Sequence, residues 1–430
     1  MNFKLKVIYY LLKIKLIPKF NSKNAIKKFQ NKRLKIFASN TLIKSAYYLP
    51  YFTNNQLDWN LVPQISKNEF MNSFNEINTK GILLDDAMEI AISSEKSRTF
   101  KSEINGVTIG LSTGTSGKRG VFLVSENEKA QWAALVISRV IRPKLFKKQR
   151  IAFFLRANSN LYTSVESLLF EFRYFDIFKP LNELLIELNE YQPAILASQP
   201  SILIDIALAQ KNNIINIDPT QIISFAEVLY DNEKNIISSI FKVVITEVYQ
   251  CTEGFLGVSC KYGTMHLNED FIRFDKEWVD ENKFFPIITD FSRSSQPVVL
   301  YRLTDVLEIK KYDCSCGSKL LAIEKIIGRD DDVLIFNGIK VYPDLIARRI
   351  ALQTDNFQKY TIEQIGPSDL LINIICSSED LSENINHFKY ILLKLFKDLG
   401  INEINFQFEN NLKNIMGEKN RKIKRTFYEN

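Results

Sequence analysis

Residues 107–124 read VTIGLSTGTSGKRGVFLV, and this stretch decides the local architecture. A loop rich in glycine, hydroxyl groups and cations lies between two short apolar runs, which predicts a strand, a loop and a second strand. Glycines let a backbone turn tightly and direct its N–H groups at an anion, and hydroxyls and cations add contacts to phosphate oxygens. The sequence therefore predicts a phosphate-binding loop that comprises Ser112, Thr113, Gly114, Thr115, Ser116, Gly117 and Lys118, followed by Arg119 and Gly120.

Taken alone, this segment is equally compatible with a Gly/Ser-rich surface loop that binds no ligand. Its glycine spacing differs from the nucleotide-binding pattern GxxxxGK(S/T), and the residues after it predict a strand rather than a helix. A helix is expected after that strand, because Ser125 and Glu128 form a capping-box pair ahead of the apolar residues in 132–140.

Three further segments carry the residue types that a nucleotide needs. They are YQCTEG at residues 249–254, YRLTD at 301–305 and IGRDDDVLIFNGIKVYP at 327–343. A carboxylate can hold a cation, and another can accept two hydrogen bonds from a ribose diol. Together with the loop, these segments predict an ATP site.

The four segments, in this order and at comparable separations, resemble those of the superfamily of adenylate-forming enzymes, which includes acyl- and aryl-CoA synthetases and peptide-synthetase adenylation domains. Within it, the chain resembles most the branch around phenylacetate–CoA ligase. The resemblance implies that Tyr249 lies against adenine and that Asp305 binds the ribose hydroxyls. It also implies that Glu253 holds a magnesium ion, with Thr252 beside it.

The resemblance implies two further features. Ala226 and Glu227 match a stretch that lines the purine, although Phe225 replaces the glycine that is usual there. Arg329 and Asp331 match a hinge about which a small C-terminal domain rotates between adenylation and a second, transfer step. Lys340 stands where an arginine is common. A run of charged residues is also a plausible pivot on physical grounds, but a plain charged turn explains it equally well.

The reaction implied is the activation of a carboxylic acid. A carboxylate is a poor electrophile, and its attack on the α-phosphate of ATP makes an acyl adenylate with AMP as leaving group. We expect transfer of the acyl group to a thiol, most simply coenzyme A. Transfer of AMP to a hydroxyl-bearing cofactor and acyl loading onto a carrier protein stay open as alternatives, and a non-enzymatic nucleotide-binding protein is less favoured.

The resemblance also places a catalytic lysine near the C-terminus, in a Gly-Lys-x-x-Arg type of sequence. Here residues 417–425 read GEKNRKIKR, so that two registers fit, one with Lys419 and one with Lys422. The register with Lys419 is favoured. A basic tail without a catalytic lysine is the remaining alternative.

Four residues predict a structural zinc site. Cys260 and His266, then Cys314 and Cys316, form the pattern C-x5-H and C-x-C-G, and three thiolates with one imidazole complete a closed tetrahedral site. The alternative for Cys316 is a simple turn thiol. The two other cysteines, Cys251 and Cys376, are interpreted as packing residues, and His387 as a helix-surface histidine.

The pattern of short strands alternating with helices from about residue 58 to 325 predicts an α/β fold. After residue 249 the chain predicts successive strands, including PVVLYRL at 297–303. We expect a large α/β AMP-binding domain with a β-rich subdomain at residues 1–327 and a small, mobile α+β domain at 328–430.

The charge of +7 is concentrated at the two ends of the 430-residue chain. Residues 1–40 contain eleven Lys or Arg and no acid, which suits an anionic membrane or a nucleic acid, but a helix resting on the main domain is favoured. No nucleic-acid module and no transmembrane segment is recognised. The expected partners are a small carboxylic acid, ATP and a thiol acceptor in the cytoplasm. The oligomeric state stays open, with a homodimer as one alternative.

Overall fold

The computed structural model describes residues 2–97, 102–111, 120–141, 148–155, 170–351, 359–375, 381–409 and 423–426. Its helices are α1 (Phe3–Lys15), α2 (Lys23–Asn40), α3 (Lys67–Asn72), α4 (Phe74–Ile77), α5 (Leu84–Ser97), α6 (Glu126–Arg139), α7 (Leu181–Tyr191), α8 (Pro200–Lys211), α9 (Asp231–Phe241), α10 (Pro343–Ala351) and α11 (Leu381–Asp398).

The strands of the first half are β1 (Phe52–Thr53), β2 (Gln56–Leu57), β3 (Glu103–Ile104), β4 (Val107–Leu111), β5 (Val121–Ser125), β6 (Gln149–Leu155), β7 (Phe170–Asp176), β8 (Ile195–Ser198), β9 (Gln221–Ser224) and β10 (Thr246–Gln250). Those of the second half are β11 (Phe255–Ser259), β12 (Met265–Leu267), β13 (Ile272–Trp278), β14 (Lys283–Asp290), β15 (Tyr301–Arg302), β16 (Asp305–Ile309), β17 (Ala322–Arg329), β18 (Leu334–Phe336), β19 (Ile339–Val341), β20 (Lys359–Gln364), β21 (Asp369–Ile375), β22 (Asn405–Glu409) and β23 (Ile423–Arg425).

The chain divides into two compact units. Unit 1 comprises Met1–Leu229, Glu233–Leu303 and Glu308–Lys325, and unit 2 comprises Tyr230–Asn232, Thr304–Leu307 and Ile326–Asn430. Within the described ranges, none of the helices combines the length and the apolarity that a membrane crossing requires.

Unit 1 contains a sheet with five parallel strands in the order β7-β6-β8-β9-β10. The central strands β8 and β9 are buried along their whole length because helices cover them, and the core beneath α7, α8 and α9 includes the buried side chains of Phe154, Leu196 and Ile237. From β10 onward the pairing becomes antiparallel, through β11 and β12 to β17. The α/β fold with a β-rich continuation is thus confirmed.

The two strands predicted on either side of the glycine-rich loop and the helix after them are also confirmed. β4 pairs antiparallel with β3 on one side and β5 on the other, and Ser125 caps α6 with both hydrogen bonds of the capping box to Glu128. The N-terminal helix α1 packs on α6, where Val7 forms one buried cluster with Ala130 and Ala134. The N-terminus is therefore a helix that rests on unit 1, as the sequence favoured.

The strand prediction for PVVLYRL was wrong over most of its length. Only Tyr301 and Arg302 form a strand, and Leu300 before them has a positive φ of 45°. Such a backbone conformation breaks a strand, and Pro297 has no N–H to donate to a ladder. Residues 297–299 instead form a buried connection that leads to Tyr301.

Unit 2 is an α+β structure. The mixed sheet β22-β21-β20-β23 packs against α11 through a core that includes Phe388, Leu392 and Phe396. The hairpin of β18 and β19 is tied to this sheet by the buried Gln364, whose side chain bonds both the N–H and the carbonyl of Ile335, at 2.9 and 2.6 Å.

Candidate functional site

Glu253 lies in the turn between β10 and β11, where the Cys251 and Gly254 backbones bond each other. The Tyr301 hydroxyl donates to its Oε1 at 2.9 Å, and the Thr252 hydroxyl donates to its Oε2 at 2.8 Å. The carboxylate is half-buried and held in one orientation by two donors. Carboxylate oxygens suit a hard cation such as Mg²⁺, so that the residues present fit this ion.

A small open cleft lies in front of this carboxylate. Gly120, the first described residue after the glycine-rich loop, lines one part of it, and Glu253 and Tyr301 line another. Three of the four sequence segments therefore meet in unit 1. The loop residues themselves, 112–119, lie outside the described part of the chain.

A polar segment, buried at Ser295 and Gln296, joins these parts, and no sequence pattern predicted it. Arg293 donates to the carbonyls of Thr252 and Leu123, at 3.3 and 3.2 Å, and so connects the turn of Glu253 with the strand that follows the loop. Gln296 bonds Leu123 and Val121 on that same strand. The signal in the sequence is a polar run, SRSSQ at residues 292–296, between β14 and the apolar residues 297–300.

Glu128 anchors this segment from the other side. Its carboxylate accepts hydrogen bonds from the N–H groups of Ser294 and Ser295, at 2.7 and 3.0 Å, as well as from its own capping box. Burial raises the pKa of Glu128, but Arg293 and the hydrogen bonds outweigh this effect and hold the pKa below its usual range. Glu128 therefore stays charged in the interior and fixes the segment.

Asp290, at the end of β14, is buried, and burial raises its pKa from 3.8 to about 6. A folded-state pKa above the unfolded value means that the folded protein binds the extra proton more tightly, so this group's contribution to stability is full below about pH 4 and is lost as the pH rises through 6. The Asp290→Asn variant carries a neutral side chain at every pH. We expect its free energy of unfolding, relative to the wild type, to rise by about 2–3 kcal/mol between pH 4 and pH 7.

Urea unfolding followed by tryptophan fluorescence measures this difference for unit 1, because Trp59, Trp132 and Trp278 all lie there. Asparagine keeps an oxygen to accept from the Ser292 N–H, which Asp290 now bonds at 2.7 Å. Parallel pH profiles for the wild type and the variant would show that Asp290 ionises with an ordinary pKa.

Tyr249 is buried in β10. Ala226 and Glu227, the residues predicted to line the purine, follow the end of β9. Ala226 has a positive φ of 68°, and the Glu227 carboxylate accepts from the N–H and hydroxyl of Ser201, both at 3.2 Å, at the start of α8. Phe225 stacks on Phe153 with centroids 4.9 Å apart. The unusual phenylalanine thus has a packing partner, and the carboxylate of Glu227 positions a helix.

In unit 2 the third and fourth segments meet. Arg329 Nε donates to Asp305 Oδ1 at 3.2 Å, and the Asp330 N–H donates to the Thr304 carbonyl at 2.8 Å. Asp305 is mostly buried, and a 3₁₀ turn, Asp330–Asp332, follows Arg329 and contains Asp331. Lys340 is exposed on β19. The two predicted catalytic lysines, Lys419 and Lys422, lie outside the described residues, as does Cys376.

The four predicted metal ligands are brought together in unit 1. The side-chain ligand atoms of Cys260, His266, Cys314 and Cys316 all lie within 4.8 Å of one another. The Cys260 and Cys314 sulfurs are 3.7 Å apart, and the Cys316 sulfur is 3.3 Å from His266 Nε2. Tetrahedral Zn²⁺ with Zn–S bonds of about 2.3 Å requires sulfurs about 3.8 Å apart, so the spacing fits the ion.

The surroundings of the cluster orient these ligands. His266 Nδ1 faces the Leu320 carbonyl at 3.2 Å, which favours a proton on Nδ1 and leaves Nε2 for a metal. Burial raises the pKa of Cys314, but hydrogen bonds from Thr264 and from the Cys316 backbone outweigh it and bring the pKa to about 6. None of the four described cysteines is in a disulfide.

Comparison with known proteins gives the following relatives. No protein-family model matches the chain. Protein CapK of Staphylococcus aureus is 25% identical over 265 residues, which are 56% of this chain and 58% of CapK, so the chain spans little more than half of that relative.

Two solved structures share the fold. 2-Hydroxyisobutyryl-CoA ligase, in the postadenylation state with 2-HIB-AMP, has a TM-score of 0.68 at 15% identity and covers 94% of this chain and 90% of its own. The anthranilate CoA ligase AuaEII with anthranoyl-AMP has a TM-score of 0.52 at 14% identity, over 73% of this chain and 65% of its own.

Proposed function

We propose that this chain, which has the fold of the adenylate-forming enzymes, is an ATP-dependent ligase that activates a carboxylic acid as its acyl adenylate. The observation that carries the proposal is the Glu253 carboxylate, which Tyr301 and Thr252 hold in the cleft that begins at Gly120. A fixed carboxylate beside the end of a Ser/Thr/Gly-rich loop is what a metal-bound triphosphate needs.

In the first step, a carboxylate oxygen of the acid bonds to the α-phosphorus of ATP, and pyrophosphate leaves. The loop Ser112 to Lys118 binds the phosphates, and Glu253, with Thr252 beside it, holds the ion. Bound Mg²⁺ would neutralise phosphate charge as the leaving group separates. Tyr249 and the backbone of Ala226 and Glu227 border the adenine.

In unit 2, Asp305 binds the ribose hydroxyls, and Arg329 orients its carboxylate through the contact at 3.2 Å. We place the domain boundary at residue 328, and we assign the turn with Asp331 as the hinge between the two steps. Unit 2 delivers Lys419, or Lys422, to the acid and the α-phosphate.

In the second step, a thiol sulfur bonds to the acyl carbon, AMP leaves and the thiol proton passes to solvent. Coenzyme A is the proposed acceptor, and the cytoplasm, where ATP and reduced thiols coexist, is the proposed compartment. Both solved relatives described above are CoA ligases with a bound adenylate, and this supports the choice.

Exchange of labelled pyrophosphate into ATP, measured over a panel of aliphatic and aromatic acids, tests this function. We expect exchange that depends on one class of acid and on magnesium. Adenylylation of a hydroxyl compound, with no acid in the panel supporting exchange, would instead assign the chain to AMP transfer.

We also propose that Cys260, His266, Cys314 and Cys316 hold one structural zinc ion. The site would join the hairpin of β11 and β12 to the loop before β17. All four positions are occupied by protein ligands, so the ion has no open position for a substrate.

Replacing Cys314 by serine is expected to remove the zinc and to lower the unfolding midpoint of unit 1 by at least about 5 °C, because ligand loss forfeits binding energy that stabilises the fold. Elemental analysis and thermal unfolding by tryptophan fluorescence measure the two effects. Cys251→Ser is the matched control, since Cys251 lies outside the cluster and should keep the metal. Wild-type protein purified without chelators that contains no stoichiometric zinc would contradict this assignment.

A further inference from the structure

Helix α1 has apolar side chains on two opposite faces. One face packs on α6 through Val7 and its neighbours. The other face is exposed, and we call it the outer stripe. Its residues and their exposed fractions are Leu5 (55%), Ile8 (52%), Tyr9 (44%), Leu12 (58%) and Leu16 (81%). This spacing of three and four residues places them in one band along the helix.

Lysines flank the outer stripe on both sides. At about 100° per residue, Lys4 and Lys15 fall along one edge of the band, and Lys6 and Lys13 along the other. Lys6 pairs with Glu126 at 2.7 Å, and Lys13 lies 4.4 Å from the centre of the Tyr9 ring. An apolar band with cationic edges is the pattern of a helix that lies in a membrane interface, where lysine side chains extend to the headgroups.

The charge of residues 1–40 has one sign. Residues 1–40 contain eleven basic residues and no acidic ones, and the five lysines of α2 are all exposed. The single arginine of this region, Arg33, is half-buried near Asp270 and Asp290, and burial lowers its pKa. The exposed cations are therefore all lysines, which bind anionic surfaces as point charges.

We propose that the outer stripe and its flanking lysines dock unit 1 on an anionic lipid surface, with α1 lying parallel to that surface. A helix of 13 residues is about 20 Å long and cannot span a bilayer. A second copy of the chain fits less well, because it would bring the flanking lysines of two stripes together. A nucleic acid would leave the five apolar side chains unused.

Co-sedimentation with vesicles tests the proposal on the full chain. We expect binding to vesicles of phosphatidylglycerol and phosphatidylcholine, weaker binding in high salt, and little binding to phosphatidylcholine alone. The Leu12→Ser/Leu16→Ser variant should lose at least about tenfold in vesicle partitioning, since it removes two inserted side chains. Lys4→Gln/Lys15→Gln should lose about tenfold on anionic vesicles.

The matched control is Ile186→Ser/Ile214→Ser, which removes two comparably exposed isoleucines elsewhere on unit 1 and should bind vesicles like the wild type. Equal binding by the Leu12→Ser/Leu16→Ser variant and the wild type overturns the proposal. The proposal is also overturned if the wild-type protein does not bind anionic vesicles, whether it instead dimerises through the outer stripe or binds duplex DNA. If the serine variant unfolds, the lysine variant alone decides.

Discussion

The Glu253→Gln variant is expected to exchange pyrophosphate into ATP roughly 10³-fold more slowly than the wild type, because metal stabilisation of several kcal/mol is lost and each 1.4 kcal/mol corresponds to a tenfold change in rate. Glutamine has nearly the same shape but no charge. Its amide N–H₂ would also face one of the hydroxyls of Tyr301 and Thr252, which now donate to the carboxylate.

Tyr301→Phe is the matched comparison. It keeps the charge of Glu253 and removes only the 2.9 Å hydrogen bond that orients it, so a loss of about 10–100-fold is expected, as for other groups that orient a metal ligand. Raised magnesium should partly restore the phenylalanine variant and leave the glutamine variant slow. Exchange by Glu253→Gln within tenfold of the wild type would show that another group holds the metal.

The second large effect concerns the C-terminal lysine. Replacing the correct lysine by alanine should slow acyl-adenylate formation by roughly 10²–10³-fold, the scale for losing one group that stabilises developing charge. Transfer to a thiol from a supplied acyl adenylate should be nearly unchanged, because this lysine acts on the first step only.

Lys419→Ala and Lys422→Ala serve as controls for each other, since the two registers of residues 417–425 predict that only one lysine is catalytic. We expect the large effect for Lys419. Single-turnover assays of the two steps measure it. If both variants slow both steps equally, or if neither slows adenylation, unit 2 supplies no lysine to the reaction.

Much of the site could be predicted from the sequence because its residues are chemically distinctive over short spans. Cys260 and His266 are separated from Cys314 and Cys316 by about fifty positions, yet few residue types bind zinc, so that the set could be named before the fold was known. The capping box of Ser125 was equally readable, because a helix start depends on a few adjacent residues.

The remaining features depend on contacts between distant segments. The bond from Tyr301 to Glu253 spans 48 positions, and those from Arg293 to Thr252 and Leu123 span 41 and 170. Nothing in a local pattern separates a buried polar connector such as SRSSQ from a solvated loop. The exposure of the outer stripe could not be predicted either, because α1 is apolar on two faces and its sequence does not indicate which face packs on α6.

The most direct test of the central claim follows the oxygen atoms of the acid. With a substrate acid labelled with ¹⁸O in both carboxylate positions, together with ATP, magnesium and coenzyme A, mass spectrometry of the AMP product reports which bond formed. If the acid attacks the α-phosphorus, one ¹⁸O atom is retained in each AMP when the acyl group moves to the thiol, and this is the predicted result. AMP without the label, or AMP attached to a hydroxyl compound, would contradict the formation of an acyl adenylate.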